Sequence, residues 1–353
     1  MKLYAVGFTR RGAALARRAA GLLDAGGHMC RVFAPGRIAA ECRRGSGGLP
    51  ILGMEGGVRE WAGRAFREAD GILFVGAAGI AVRAVAPHLR CKDRDPAVLV
   101  LDEAGRHVIP ILSGHLGGAN ALALETARLL GAQPVITTGT DVNGRFACDV
   151  WAKENGLSVV NLGAVKLVSG ALLRGERVGL KTEIPVSGAL PEGVSHQVGG
   201  EVGICVSIRE ERPFQETLLL APRAVVLGIG CRRGASKDDI ETAVRAVLKE
   251  RRILPEAVRA AASVDLKKDE EGLIAFCAER GILFSTYSAE ELLVVPGAFS
   301  QSRFVKSVAG VDCVCERAAL RAARDGTLIV PKTAVGPVTV AAAVDAAGPL
   351  HFE

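Results

Sequence analysis

The residues best suited to chemistry lie in the glycine-rich segment Ser113–Asn120. This segment falls between a strand-like run and a helix-like run. Its backbone N–H groups are therefore predicted to lie at a helix N-terminus, where they have no acceptor within the helix. Open amides and the helix dipole together favour a bound anion, and His115 adds a side chain that titrates near neutral pH. The alternative is that Ser113 only caps the helix and that the glycines only allow close packing. The predicted substrate contacts are Ser113, Gly114, Gly117, Gly118 and Asn120.

A second polar loop follows the next predicted strand, Pro134–Thr138, and carries Thr138, Asp141 and Asn143. In a parallel sheet this loop lies at the same edge as the 113–120 loop, where α/β proteins bind their ligands. Thr138, Asp141 and Asn143 are therefore expected to face the same cleft. The alternative is a plain polar turn with an Asn-Gly corner.

A third loop of this kind, Gly76–Gly79, follows the predicted strand Ile72–Val75. Gly76 and Gly79 are predicted to approach a substrate closely. Arg83, one helical turn later, is predicted to contact a carboxylate of that substrate, and a solvated side chain is the alternative.

In the last third of the chain, the run Gly228–Gly234 partly matches a dinucleotide-binding loop. The third glycine is one position late, because Arg233 stands where G-x-G-x-x-G requires it, and no convincing acidic strand end follows about 20 residues later. A nucleotide-dependent oxidoreductase is therefore the alternative class of enzyme. Glu316 and Lys332 are further predicted contacts across a cleft, and solvated or paired surface groups are the alternative.

Helix-like and strand-like segments alternate along the 353 residues, of which 49% are apolar. This pattern predicts an α/β fold, with parallel-type sheets flanked by helices in an N-terminal and a C-terminal domain and a small middle α/β or β-rich domain. Residues 35–57, rich in Gly, Pro and Arg, are expected to form a long loop. The predicted domains are 1–135, 136–222 and 223–353.

The net charge of +6 is uneven, since residues 1–135 carry 18 basic against 11 acidic side chains. A positive field attracts anions, but no basic stripe with interleaved aromatics or known nucleic-acid module is present. No apolar run is long enough to span a bilayer and no signal-peptide pattern occurs. Nine cysteines without a C-x-x-C pair indicate reduced thiols. We therefore expect a cytoplasmic enzyme for a small anionic substrate, without nucleic-acid or membrane partners.

Several runs together resemble one family, the cobalt-precorrin-5A hydrolases (CbiG) of anaerobic cobalamin biosynthesis. In the first part of the chain these runs are Ile80–Pro87, Asp95–Val98, Asp102–Arg106, Ser113–Asn120, Pro134–Thr138 and Thr140–Phe146. The C-terminal part is similar at Gly228–Gly234, Val308–Val311, Glu316, Ala318–Leu320 and Lys332. The region 156–222 matches only in position and length.

The resemblance implies a hydrolase acting on a cobalt-bound corrinoid. Such an enzyme opens the ring A δ-lactone of cobalt-precorrin-5A with water and releases acetaldehyde, giving cobalt-precorrin-5B. Cobalt belongs to the substrate, so we expect no metal site and no cofactor in the protein itself.

For this chemistry our own assignment is an oxyanion held by the amides of Gly117 and Gly118, with His115 as first choice for the base and Asp141 as second. A non-catalytic corrinoid-binding protein is a further alternative. The sequence leaves open whether the chain forms a homodimer.

Overall fold

The structure is a computed structural model that describes residues 1–42, 48–91, 94–114, 117–139, 144–301 and 310–352. It contains several mostly parallel sheets flanked by helices, so the predicted α/β class is confirmed. The chain divides into two compact units, Met1–Val150 and Trp151–Glu353. The finer boundaries predicted at 135/136 and 222/223 stay predictions. No helix of the described residues is long and apolar enough to cross a membrane.

The first unit is built on a seven-stranded sheet with the order β3-β2-β1-β4-β5-β6-β7. All neighbouring strands pair in parallel except β5 and β6, which form a hairpin. The strands are β1 (Lys2–Gly7), β2 (Met29–Ala34), β3 (Ile51–Gly53), β4 (Gly71–Val75), β5 (Ala97–Leu101), β6 (His107–Leu112) and β7 (Gln133–Pro134). The hairpin decides at which edge of the sheet each loop lies.

Helices cover both faces of this sheet, because successive residues of each buried strand point to opposite sides. The helices are α1 (Arg10–Ala25), α2 (Gly36–Cys42), α3 (Val58–Glu68), α4 (Ala78–Val85) and α5 (Ala119–Leu130). Small residues let α1 pack closely against β1. A Cβ at Gly7 of β1 would lie only 2.3 Å from the amide nitrogen of Ala13 in α1. The opposite face is aromatic, with Trp61 and Phe74 buried against each other. The predicted loop 35–57 is wrong in part, since it contains α2 and β3.

The second unit holds two five-stranded sheets, and the first has the order β11-β9-β12-β13-β8. Its strands are parallel except for β8, which pairs antiparallel with β13. The elements of this part are α6 (Cys148–Glu154), β8 (Leu157–Val159), α7 (Gly163–Leu173), β9 (Val178–Thr182), β10 (Val186–Ser187), β11 (Val194–His196), β12 (Gly200–Val206) and β13 (Phe214–Pro222). The separate strand β10 pairs with the C-terminal strand β19 (Leu350–His351).

The other sheet of this unit has the order β16-β15-β14-β18-β17. Strands β14 to β16 are parallel, and β18 pairs antiparallel with β14 and β17. The elements are β14 (Val225–Cys231), α8 (Lys237–Glu250), β15 (Val258–Val264), α9 (Glu271–Arg280), β16 (Leu283–Tyr287), α10 (Ala289–Leu293), α11 (Val314–Ala322), β17 (Thr327–Val335) and β18 (Val338–Val344). The side chain of Ser236 caps α8 through a capping box with Asp239.

Candidate functional site

The segment between β6 and α5 makes a tight backbone turn around Ser113. Ser113 has a left-handed φ of 57°, and its hydroxyl donates to the carbonyl of Asp95 over 2.9 Å. A Cβ at Gly117 would lie 2.3 Å from the Cβ of Ser113, so only glycine fits there. The hydroxyl proton of Ser113 is committed to a backbone carbonyl, which makes Ser113 a residue that positions the loop.

The amides of this turn fall into two groups. Ala119 donates to the carbonyl of Ser113 over 3.0 Å, and Asn120 donates to the carbonyl of Gly114 over 2.9 Å. Within the described residues, no acceptor takes a hydrogen bond from the amides of Gly117 and Gly118. Because Gly118 is the N-cap residue of α5, these two amides lie at the positive end of the helix dipole. They are the donors expected from the sequence to bind an anion.

Asn120 joins the two polar loops that the sequence analysis placed at one edge. Its side chain is 6% exposed, and its Nδ2 donates to the hydroxyl of Thr138 over 2.8 Å. A Cβ at Gly114 would come within 2.9 Å of the Oδ1 of Asn120, so Gly114 leaves room for this amide. The predicted proximity of the 113–120 and 137–145 loops is therefore confirmed at this contact.

His115, Asp141 and Asn143 lie outside the described residues. Their roles remain predictions. The chain that flanks them on both sides, at Gly114 and Gly117 and at Gly139 and Gly144, is described.

Gly76, Gly79 and Arg83 lie at the other edge of the sheet, so the structure does not bring them to the Ser113 loop. Strand β6 runs antiparallel to β5, with Leu112 opposite Val98. The carboxyl end of β6 is therefore beside the amino end of β5, whereas the 76–79 loop follows the carboxyl end of the parallel strand β4. The two edges are separated by the length of a five-residue strand, about 15 Å.

The contacts of this opposite edge are mostly local. The amide of Gly76 donates to the carbonyl of Leu101 over 2.9 Å. Arg83 is exposed, and its Nη1 donates to the carbonyl of Gly79 within the same helix, over 3.2 Å. The Thr9 hydroxyl, which caps α1, donates to Glu103 over 2.8 Å. These contacts order this edge of the sheet, and the described contact of the Arg83 side chain is with a backbone carbonyl and not with a carboxylate.

In the second unit, Glu316 is a buried carboxylate with its acceptors occupied. It is 2% exposed and accepts from the amide and the hydroxyl of Ser300 over 2.7 and 2.8 Å, and from the amide of Lys332 over 2.7 Å. Burial raises the pKa of the Glu316 carboxyl, but the hydrogen bonds from Lys332 and Ser300 outweigh it and hold the pKa below its usual range. Glu316 and Lys332 are thus neighbours, joined through the backbone of Lys332.

The glycines at 228 and 230 belong to the strand β14 and not to a loop. A Cβ at Gly228 would lie 1.7 Å from the carbonyl oxygen of Cys315, so this glycine allows α11 to pack on the strand. At Gly230 the Oγ1 of Thr339 would lie 2.6 Å away. Packing accounts for both glycines, and neither opens a phosphate-binding turn as a dinucleotide loop does.

The chain is thus an α/β protein of mostly parallel sheets in which the glycine-rich turn after β6 presents backbone donors. It matches three family descriptions: "Cobalamin synthesis G N-terminal" at residues 60–141, "Cobalamin biosynthesis central region" at 146–222 and "Cobalamin synthesis G C-terminus" at 225–343. The chain belongs to the cobalt-precorrin-5A hydrolase (CbiG) family, and the resemblance drawn from its motifs is confirmed.

Two relatives cover most of the sequence. The chain is 38% identical over 324 residues to the cobalt-precorrin-5A hydrolase of Salmonella typhimurium. This match covers 88% of the present chain and 89% of the relative. It is 33% identical over 313 residues to that of Priestia megaterium, covering 82% and 83%. A solved structure of a cobalamin biosynthesis protein G homologue from Sulfolobus solfataricus is 21% identical, covers 98% of this chain and 97% of its own, and has a TM-score of 0.40.

Proposed function

We propose that this protein is a cobalt-precorrin-5A hydrolase of cobalamin biosynthesis. It opens the ring A δ-lactone with water and releases the two-carbon unit as acetaldehyde, leaving cobalt-precorrin-5B. The observation that carries this function is the 38% identity, over 88% of the chain, to a hydrolase of that name. We place the chemistry at the Ser113–Asn120 segment, because it carries the two amide donors of Gly117 and Gly118.

Attack of water on the lactone carbonyl places a negative charge on the carbonyl oxygen. The amides of Gly117 and Gly118 have no acceptor among the described residues and lie at the N-terminus of α5. Preorganised donors of this kind stabilise a developing oxyanion, and loss of one such donor commonly costs about 10²–10³-fold in rate. The substrate lactone is accordingly placed with its carbonyl oxygen toward these two amides.

The second step, cleavage of the carbon–carbon bond, needs a base. The alcohol freed by lactone opening gives up its proton, the bond to the macrocycle breaks, and the conjugated macrocycle takes the electron pair. His115 is the first choice for the base because it stands in the same glycine-rich sequence segment as the oxyanion donors, and Asp141 is the second. Asn120 and Thr138 hold the two loops together, which supports a shared site for both candidate bases.

The substrate supplies its own cobalt, and we propose that the protein needs no further metal or cofactor. Its partner is the cobalt corrinoid, an acidic small molecule. The excess of basic residues in 1–135 supports binding of such an anion.

An anaerobic assay with cobalt-precorrin-5A tests this function directly. Acetaldehyde is quantified with alcohol dehydrogenase and NADH after the reaction is stopped, and the corrinoid is analysed by mass spectrometry. We expect stoichiometric acetaldehyde and a corrinoid that has gained water and lost acetaldehyde. Binding of the coloured substrate without acetaldehyde would instead identify a corrinoid-binding protein. Turnover that requires added dinucleotide would identify an oxidoreductase.

A further inference from the structure

A cavity of about 180 Å³ lies beside the Ser113 turn, between the end of α3 and the segment before β5. We call it the arginine pocket, because three of its lining side chains are Arg67, Arg90 and Arg94. All three are exposed. The pocket is outside the set of residues that the sequence motifs singled out for substrate binding.

The backbone around the arginine pocket is held by a buried carboxylate. Asp95 is 8% exposed, and its two oxygens accept from the amide of Arg90 over 3.1 and 3.0 Å. The amides of Arg94 and Asp95 both donate to the carbonyl of Cys91, over 3.2 and 3.0 Å. The turn that carries Arg90 and Arg94 is therefore closed by its own hydrogen bonds before any ligand binds.

The opposite wall is shaped by His88, which ends the short helical turn Ala86–His88 after α4 and lies against α3. The Nε2 of His88 donates to the carbonyl of Arg59 over 2.9 Å, and its ring lies 6.0 Å from that of Phe66. A Cβ at Gly63 would lie 2.8 Å from the Cε1 of His88, so a glycine is needed for the imidazole to lie against the helix. The cavity thus has a fixed floor, and the arginine side chains form its rim.

The charges of this rim are not neutralised within the described part of the chain. No described carboxylate oxygen lies within 4.0 Å of the guanidinium groups of Arg67, Arg90 or Arg94, and the oxygens of Asp95 are taken by the Arg90 amide. Arg259 differs, since it forms a close pair with Asp345 over 2.6 Å. Three guanidiniums around one cavity, with no carboxylate partner among the described residues, favour an anion, and their planar donors match a carboxylate.

The arginine pocket and the Ser113 turn share one edge of the sheet. The hydroxyl of Ser113 donates to the carbonyl of Asp95, the residue that holds the arginine turn. Since Leu112 pairs with Val98, the chain entering the turn runs directly beside the chain leaving the pocket. A large substrate whose lactone lies at the Gly117 and Gly118 amides extends its periphery toward this rim.

We propose that Arg67, Arg90 and Arg94 form a carboxylate-binding subsite that takes one acidic side chain of the corrinoid substrate. This inference rests on the proposed function, and it adds the residues that select the acidic periphery. The arginines make no contact with the reacting atoms. Their substitution changes substrate affinity while the chemical step keeps its rate.

Binding of a stable corrinoid tests the subsite without turnover. Cobyrinic acid, with its free carboxylates, and its heptamethyl ester are titrated by equilibrium dialysis against the wild type, R67Q, R90Q, R94Q and R90Q/R94Q. Solvated ion pairs are typically weak, so each single variant should bind the acid about 2- to 5-fold more weakly, and the double variant about tenfold. The ester should bind all five proteins alike. The matched control is R18Q, an exposed arginine on α1, which should bind the acid as the wild type does.

Turnover measurements distinguish a failure of the subsite proposal from a failure of the proposed function. With cobalt-precorrin-5A, the double variant should show a raised KM and an unchanged kcat. The subsite would be refuted if the double variant bound cobyrinic acid with wild-type affinity. It would also be refuted if the double variant lost affinity equally for the acid and the ester. Neither result would affect acetaldehyde release by the wild type. Absence of acetaldehyde release by the wild type would instead refute the function, whatever the dialysis shows.

Discussion

The side-chain amide of Asn120 donates a hydrogen bond to the hydroxyl of Thr138 over 2.8 Å. Asn120 lies in the first turn of α5, and Thr138 lies in the segment that follows β7. This one bond joins the two loops on which the candidate bases His115 and Asp141 are carried. Because the Asn120 side chain is 6% exposed, the contact is shielded from competing water.

Replacing Thr138 by valine should loosen this junction. The variant keeps the shape of the side chain but loses the acceptor for the Asn120 amide, which typically costs about 1 kcal/mol of stability, somewhat more when a buried donor is left unpaired. We expect a lower midpoint in urea and a fall in kcat, with corrinoid binding retained. The neighbouring exposed residue Thr137 provides the control, T137V, and equal behaviour of the two variants would contradict a joining role.

Replacing Ser113 by alanine should leave most of the activity in place. The hydroxyl donates to the carbonyl of Asp95, so it is a positioning group and not a nucleophile. We expect a loss of about 1 kcal/mol in the free energy of unfolding and a fall in kcat of less than tenfold. A fall of several orders of magnitude, comparable to that of a nucleophile, would contradict this role.

The sequence allowed the Ser113 turn to be found but not the edge at which each loop lies. The hairpin formed by β5 and β6 reverses the chain direction, so the 76–79 loop lies at the opposite edge from the loop that follows β6. A glycine-rich loop looks the same in sequence at either edge. Only strand pairing, which joins residues far apart in the chain, separates them.

Other features were hidden because sequence does not show what packs against a residue. Gly228 and Gly230 resembled a nucleotide loop, whereas the carbonyl of Cys315 approaches Gly228 from a helix more than 80 residues later. No sequence motif included Arg67 or Arg90, although the neighbouring pair Asp95-Pro96 was part of the family resemblance. The segment 35–57 reads as loop because its short helix and three-residue strand carry too little periodicity to detect.

A direct test of the packing role of Gly228 is the variant G228A. Its Cβ would lie 1.7 Å from a backbone carbonyl, so α11 has to move away from β14, and overpacking of this kind typically costs about 1–3 kcal/mol or more. We expect a clear drop in the melting temperature, measured by circular dichroism. G163A is the control, since a Cβ there meets nothing within 4 Å. Stabilisation of the wild type by NAD or NADP would speak for the nucleotide loop instead.

Glu316 should make the free energy of unfolding depend on pH in the acidic range. Its folded pKa lies below the usual value, so the stability it contributes is fully present above the unfolded pKa of about 4.5 and is lost as the pH falls through the folded value. The variant E316Q loses the charged acceptor of the Ser300 and Lys332 hydrogen bonds, so it should be less stable near pH 7 by about 1.5–3 kcal/mol and should lose less stability on acidification. Urea titrations between pH 3 and 7 measure both effects. The exposed Glu201 gives the control, E201Q, and parallel pH profiles for wild type and E316Q would contradict the assignment.

His115 is the residue on which the proposed mechanism depends most. In the sequence it stands between Gly114 and Gly117, two residues before the first of the two amides assigned to the oxyanion. General-base catalysis typically contributes about 10²–10⁴-fold, so H115A should lose acetaldehyde release by that order while still folding and binding corrinoid. H115N can keep a hydrogen bond but cannot take the proton, and it should be nearly as slow.

The matched control is H107A, because His107 is exposed, begins β6 at the opposite edge and contacts the Asp102 carboxylate of its own hairpin through its side chain. It should retain wild-type turnover. If H115A also retains most of its turnover, His115 is a packing or capping residue and D141N should then show the loss. Glu316 is a poor substitute for either base, because Ser300 and Lys332 already occupy its carboxylate. Full activity of both H115A and D141N would remove the proposed base from this turn altogether.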